Sequence, residues 1–120
     1  MSPPVAFPHG PAVPALGLGS WHIGEGRRPV AQEIAALQAG LDAGLRLIDT
    51  AEMYGDGRSE ELIGRAVAGR RDEVFLVSKV YPHHATAEAP LRRALTQSLT
   101  RLGTGRLDLY DLAPDLRTPI

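Results

Sequence analysis

"GLRLIDTAEMYGDGRSEELIGRAV", residues 44–67, decides the fold. Gly44 suits the left-handed end of a helix, "LRLID" is a short aliphatic strand, and "GDG" is a turn. From Ser59, the expected N-cap, Leu62, Ile63, Ala66 and Val67 share one helical face up to a stop at Gly69. A strand that runs at once into Asp49, Glu52 and Tyr54 before a helix is one unit of alternating strand and helix. Its polar groups gather where the strand ends.

The pattern repeats on both sides. Upstream, "ALGLGSW" is a short strand with a turn, "GEGRRP" is a loop, and Pro29 opens a helix whose Val30, Ile34, Leu37 and Leu41 are spaced 4, 3, 4. Downstream come strand "EVFLVSKV", a helix carrying Leu91, Leu95, Ser98 and Leu102 with a stop at Gly103, and strand "RLDLYDL". The order β-α-β-α-β-α-β predicts parallel strands with right-handed crossovers, in a doubly wound open sheet or a closed (β/α)8 barrel. The phosphate-loop signatures bear on the choice. Gly17 and Gly19 are followed by His22 where a G-x-G-x-x-G motif needs its third glycine, and no G-K-[ST] exists. Ser20 and Trp21, Asp49, and Lys79 instead stand at successive strand C-terminal ends, where barrel active sites are built.

Composition narrows the function. The 120 residues are 43% hydrophobic with a formal charge of -1, so neither nucleic acid nor an anionic membrane is an expected partner. The absence of cysteine excludes disulfides, thiolate catalysis and Cys-ligated zinc. The lead "MSPPVAFPHGPAVP" holds five prolines and no unbroken apolar run, so it reads as neither signal peptide nor anchor, and a cytoplasmic location is expected.

Of the 13 basic residues, Lys79 is the single lysine, set in an apolar strand. A compact ammonium with an adjustable pKa is not interchangeable with a guanidinium, which points to chemistry at this position. The plain alternative is a strand-end lysine that snorkels to solvent. Asp49, Tyr54 and Lys79 can meet at the mouth of a parallel sheet. A neighbouring ammonium favours tyrosinate and so makes a phenol a better acid, and a carboxylate holds that ammonium charged and in place. Such a trio protonates an oxyanion as a general acid. Asp49 as a turn residue and Tyr54 as a surface residue are the competing readings, and Glu52 is a loop carboxylate of uncertain use.

"VPALGLGSWHIG", the 44–67 stretch, "VFLVSKVYPHHA" and "SLTRLGTGRLDLY" resemble, in order, successive pieces of the aldo-keto reductases from Val13 to Tyr110. "DTAEMYG" matches the family's D-T-A-x-x-Y-G, and "SKV" its lysine strand. The resemblance implies an α/β fold, the N-terminal half of a (β/α)8 TIM barrel with about four βα units and parallel strands. It also implies hydride transfer from NADPH to an aldehyde or ketone. Tyr54 is then the acid with Lys79 and Asp49 as partners. Gly19, Ser20, Trp21 and Asp49 lie near the nicotinamide, and Trp21 and Tyr81 near the substrate.

Two departures shape the expectation. The family's D-L-Y-L-x-H strand ends in a histidine that orients the carbonyl, whereas "DLYDLAPDL" puts Ala113 there. The chain stops at Ile120, whereas such a barrel needs roughly 250 residues, among them segments that in this family grip the cofactor's adenosine and pyrophosphate. The expected organisation is a proline-rich lead at 1–12, a partial barrel at 13–112 and a divergent tail at 113–120. That makes the chain a truncated form, from an interrupted reading frame or a gene-end truncation, that is inactive or severely impaired alone and self-associates through open sheet edges. The alternative is a non-enzymatic half-barrel remnant. No metal is expected: His83 and His84 read as a solvent-exposed loop, and "GDGRSE" as a turn lacking the alternating ligands of a calcium loop.

Overall fold

The computed structural model describes residues 17–20 and 22–113, together with the backbone of Val5–Ala6 (β1) and Ala12–Val13 (β2). β1 and β2 pair antiparallel, Val5 with Val13 and Ala6 with Ala12.

The main sheet has four parallel strands, Gly17–Gly19 (β3), Leu47–Asp49 (β4), Phe75–Val80 (β5) and Leu109–Leu112 (β6), in that spatial order. Helices Val30–Asp42 (α1), Arg58–Ala66 (α2) and Glu88–Leu102 (α3) form the crossovers. α1 packs on α2, and α2 on α3. Their residues Leu37, Leu41, Ile63, Ala66 and Leu102 share one buried cluster with Ile48 of β4 and Leu76 of β5. All three helices therefore cover the same face of the sheet. A doubly wound sheet carries helices on both faces, so this arrangement is a stretch of α/β barrel wall.

Side-chain parity follows from that packing. Leu76, Ser78 and Val80 of β5 point toward the helices and are buried, and Ser78 Oγ donates to Glu60 of α2 at 2.8 Å. Lys79 therefore points to the opposite face. Asp49 is in register with Val77, the residue two before Lys79, so the carboxylate and the ammonium share that face at the strands' C-terminal ends. Among the described residues no helix is long and apolar enough to cross a membrane.

Several local expectations need correction. Val30 is exposed, and Glu33 is buried in the first turn of α1, where its carboxylate accepts the Gly24 N–H at 3.3 Å. Periodicity defines a stripe but not how far along the helix the core extends. Ser59 does not cap α2. The cap is Gly57 at φ 91°, and Ser59 sits inside the helix with its hydroxyl donated to the Ser20 carbonyl at 3.1 Å. In α3, Leu91 and Leu95 are half-buried, whereas Ala94 is buried with Ser98 and Leu102. β6 begins later than "RLDLYDL" implies, since Asp108 turns its carboxylate onto the Leu76 N–H at 2.7 Å.

Candidate active site

Asp49 ends β4, and the chain then stays pinned to β5 for three more residues. The Thr50 N–H donates to the Val77 carbonyl at 2.8 Å, and the Glu52 N–H to the Lys79 carbonyl at 3.1 Å. Next comes a 3-10 turn at Tyr54–Gly57, where Gly55 (φ 59°), Asp56 (φ 55°) and Gly57 (φ 91°) are successively left-handed. Glycine adopts this conformation freely, and aspartate tolerates it better than most residues. Tyr54 opens this turn, and its ring lies beside Lys79.

Lys79 donates its ammonium to Asp49 Oδ1 and to the Thr50 carbonyl, the latter at 3.1 Å. The same ammonium lies over the Tyr54 ring, 5.3 Å from its centroid, within cation-π range. The lysine side chain is 17% exposed and that of Asp49 is 47% exposed, so the pair sits at a rim rather than in the core. Asp49, Tyr54 and Lys79 are thus brought together, with the ammonium meeting the phenol through its ring face. Lys79 does not snorkel away; two oxygens and an aromatic face hold it.

Behind the rim is a chain of buried hydroxyls. Ser20 Oγ donates to the Asp49 carbonyl at 2.8 Å, Ser59 Oγ donates to the Ser20 carbonyl, and Thr50 Oγ1 lies 3.2 Å from Ser59 Oγ. Ser20 thus acts on the site through the backbone of Asp49. Gly19 is in register with Asp49, and a Cβ built there would meet nothing within 4 Å. Open space over a glycine beside a half-exposed carboxylate suits a flat ring approaching the backbone, so these residues fit the nicotinamide end of a dinucleotide. Trp21 lies outside the described residues.

Tyr81 is half-buried just after β5, and burial, then the charges of Asp56 and Glu52, raise its pKa. Two residues of weight were left without a role by the sequence reading, Glu52 as a loop carboxylate of uncertain use and His84 as solvent-exposed loop. Glu52 is buried and accepts from His84 Nδ1 at 2.6 Å, so His84 is no simple surface residue. Strand parity carried the signal: Ile48, Thr50 and Glu52 alternate onto the helix-facing side, where a carboxylate needs a partner. Ala113 is buried, and its N–H extends the ladder to Val80 at 2.9 Å.

A family model described as the Aldo/keto reductase family matches residues 15–119. Methylglyoxal reductase YeaE of Escherichia coli (strain K12) is 50% identical over 99 residues, covering 82% of this chain and 34% of the relative. Aldo-keto reductase YhdN of Bacillus subtilis (strain 168) is 39% identical over 119 residues, covering 88% and 36%. Among solved structures, an aldo/keto reductase from Klebsiella pneumoniae in complex with NADP and acetate superposes with a TM-score of 0.81. It is 55% identical, covering 88% of this chain and 38% of that one. The chain spans about a third of the length of the curated relatives it matches.

Proposed function

The chain belongs to the aldo/keto reductase family, and on that premise we propose that it carries the proton-donating part of a carbonyl-reducing site. The observation that supports this reading best is the Lys79 ammonium held by Asp49 over the Tyr54 ring. A reduced nicotinamide dinucleotide, NADPH if it is the reduced form of the NADP held in the Klebsiella complex, supplies a hydride when bound. Gly19 and Asp49 would border its nicotinamide, Ser20 holds Asp49 from behind, and Tyr81 would flank the substrate, the place that the family resemblance also implies for Trp21. As the carbonyl carbon accepts the hydride, Tyr54 gives its phenolic proton to the developing alkoxide, leaving an alcohol and a tyrosinate that water reprotonates. Lys79 stabilises that tyrosinate, and Asp49 fixes Lys79. The substrate class is a small aldehyde or ketone; the E. coli relative is named for methylglyoxal.

One observation favours a slower protein. Ala113 directly follows β6, where the family's strand has its carbonyl-orienting histidine, and a missing donor of that kind costs about 3–4 kcal/mol of transition-state stabilisation, roughly 100- to 1,000-fold in rate. The test is a fluorescence titration of the purified chain with NADPH, followed by addition of a simple aldehyde. Saturable binding and turnover that falls roughly 100- to 10,000-fold in Tyr54→Phe support the reductase reading. A flat titration with no turnover favours the non-catalytic alternative.

A further inference from the structure

Glu52 is tied in two directions. Its backbone N–H is bonded to the strand end that carries Lys79, and its side chain reaches the loop that follows. Oε1 takes the His84 Nδ1 bond, and Oε2 is buried with no hydrogen-bond partner. Breaking the His84 bond would leave a buried carboxylate unpartnered on both oxygens, a heavily penalised state, so the link is held closed.

What His84 carries matters to the rim. Its ring meets Tyr81 edge-on, with centroids 5.5 Å apart at 86°, and His83 at 4.2 Å, while Tyr81 and His83 are 4.8 Å apart. Three rings packed within one turn fix each other's orientation. The bond to Glu52 ties that cluster to the segment that leads into Tyr54.

We infer that Glu52 and His84 are positioning residues that hold Tyr81 against the turn bearing Tyr54, and so set which carbonyl side chains the rim admits. The specificity half rests on the reductase reading; the link between the loops stands on geometry alone.

NMR on the full chain, labelled at histidine and tyrosine, tests the link without turnover. In the wild type the His84 proton is expected on Nδ1, and the Tyr81 hydroxyl is expected to titrate above an ordinary tyrosine, under its burial and the charges of Asp56 and Glu52. His84→Ala leaves Asp56 and Glu52 in the chain but frees the turn, so the Tyr81 titration should move back toward the ordinary value. His84→Asn retains an N–H donor for Glu52 and should preserve it. A wild-type His84 protonated only on Nε2, or a Tyr81 titration unmoved by His84→Ala, would overturn the link. If His84→Ala does not fold, the tautomer and the asparagine variant still decide.

Kinetics test the specificity half. His84→Ala should raise KM for a bulky aldehyde roughly 10-fold, with kcat within about twofold and a small aldehyde unaffected. Equal losses for both aldehydes would contradict a specificity role. A wild type without turnover would overturn the reductase reading and the specificity half with it, while the Tyr81 titration still decides the link.

Discussion

Lys79 meets a carboxylate, a backbone carbonyl and a ring face within one small volume, and only a compact ammonium serves all three. Lys79→Arg should therefore leave the fold intact by circular dichroism yet lower turnover at least roughly 100-fold, because a planar guanidinium cannot replace that point charge. Turnover close to wild type would show that charge alone suffices. Tyr110 offers a second test. Its hydroxyl is buried without a hydrogen-bond partner, and burial, followed by the charges of Glu52 and Glu60 against the opposing effect of Arg101, pushes its pKa up to about 12. An unfolded tyrosine titrates near 10, so this group's contribution to stability is fully present below about pH 10 and is lost as pH rises toward 12. Tyr110→Phe should flatten that alkaline loss in thermal unfolding and cost little at pH 7, since no hydrogen bond is removed. Asp49 and Lys79 were legible in the sequence because they stand at strand ends that periodicity locates, and Tyr54 because "DTAEMYG" matches the family's D-T-A-x-x-Y-G. The Glu52–His84 bond was not, because it joins positions 32 apart through a turn whose path no local pattern specifies.

α2 sits close against α3. Gly64 faces α3 so closely that a Cβ would stand 2.7 Å from the Leu102 carbonyl oxygen. Gly64→Ala should push the helices apart and cost about 1–3 kcal/mol in urea unfolding, despite alanine's better helix propensity. Glu60 on the same helix is completely buried, accepting from Ser78 Oγ and from Arg101 at 2.7 Å and 2.6 Å. Arg101→Met strands that carboxylate and should cost about 3 kcal/mol, the lower end for a buried pair, because Arg101 keeps some contact with water. Adding Glu60→Met should recover much of that loss, and no recovery would mean that the pair itself stabilises the fold. The helices and strands were readable from 4, 3, 4 spacing and glycine stops, whereas the α2 cap was misplaced by two residues. Ser59 has the right chemistry for a cap, but the Ser20 carbonyl and the Thr50 hydroxyl claim its hydroxyl, and Gly57 alone meets the positive φ required there.

Across the described molecule the sheet ends in β3 on one side and β6 on the other. On β6, Leu109 is 47% and Leu112 57% exposed. An unpaired edge bearing exposed leucines invites another strand, so the purified chain is expected to self-associate, and Leu109→Lys with Leu112→Lys should shift it toward monomer in sedimentation velocity. A wild type already monomeric at high concentration would refute that expectation. Parallel order followed from the repeating strand and helix pattern, the polar residues at successive strand ends and the family resemblance pointed to the barrel, and the helices packed on one face of the sheet agree with it. At this scale the essential feature is that β4 and β5 bring their chemistry together at one end. Because Lys79 is the sole lysine, isotope-labelled lysine gives a single side-chain NMR signal. Its ε-methylene protons should resonate upfield of free lysine under the Tyr54 ring current and return downfield in Tyr54→Leu. A signal at the free-lysine position that ignores this substitution would contradict the meeting of Asp49, Lys79 and Tyr54 on which the proposed chemistry depends.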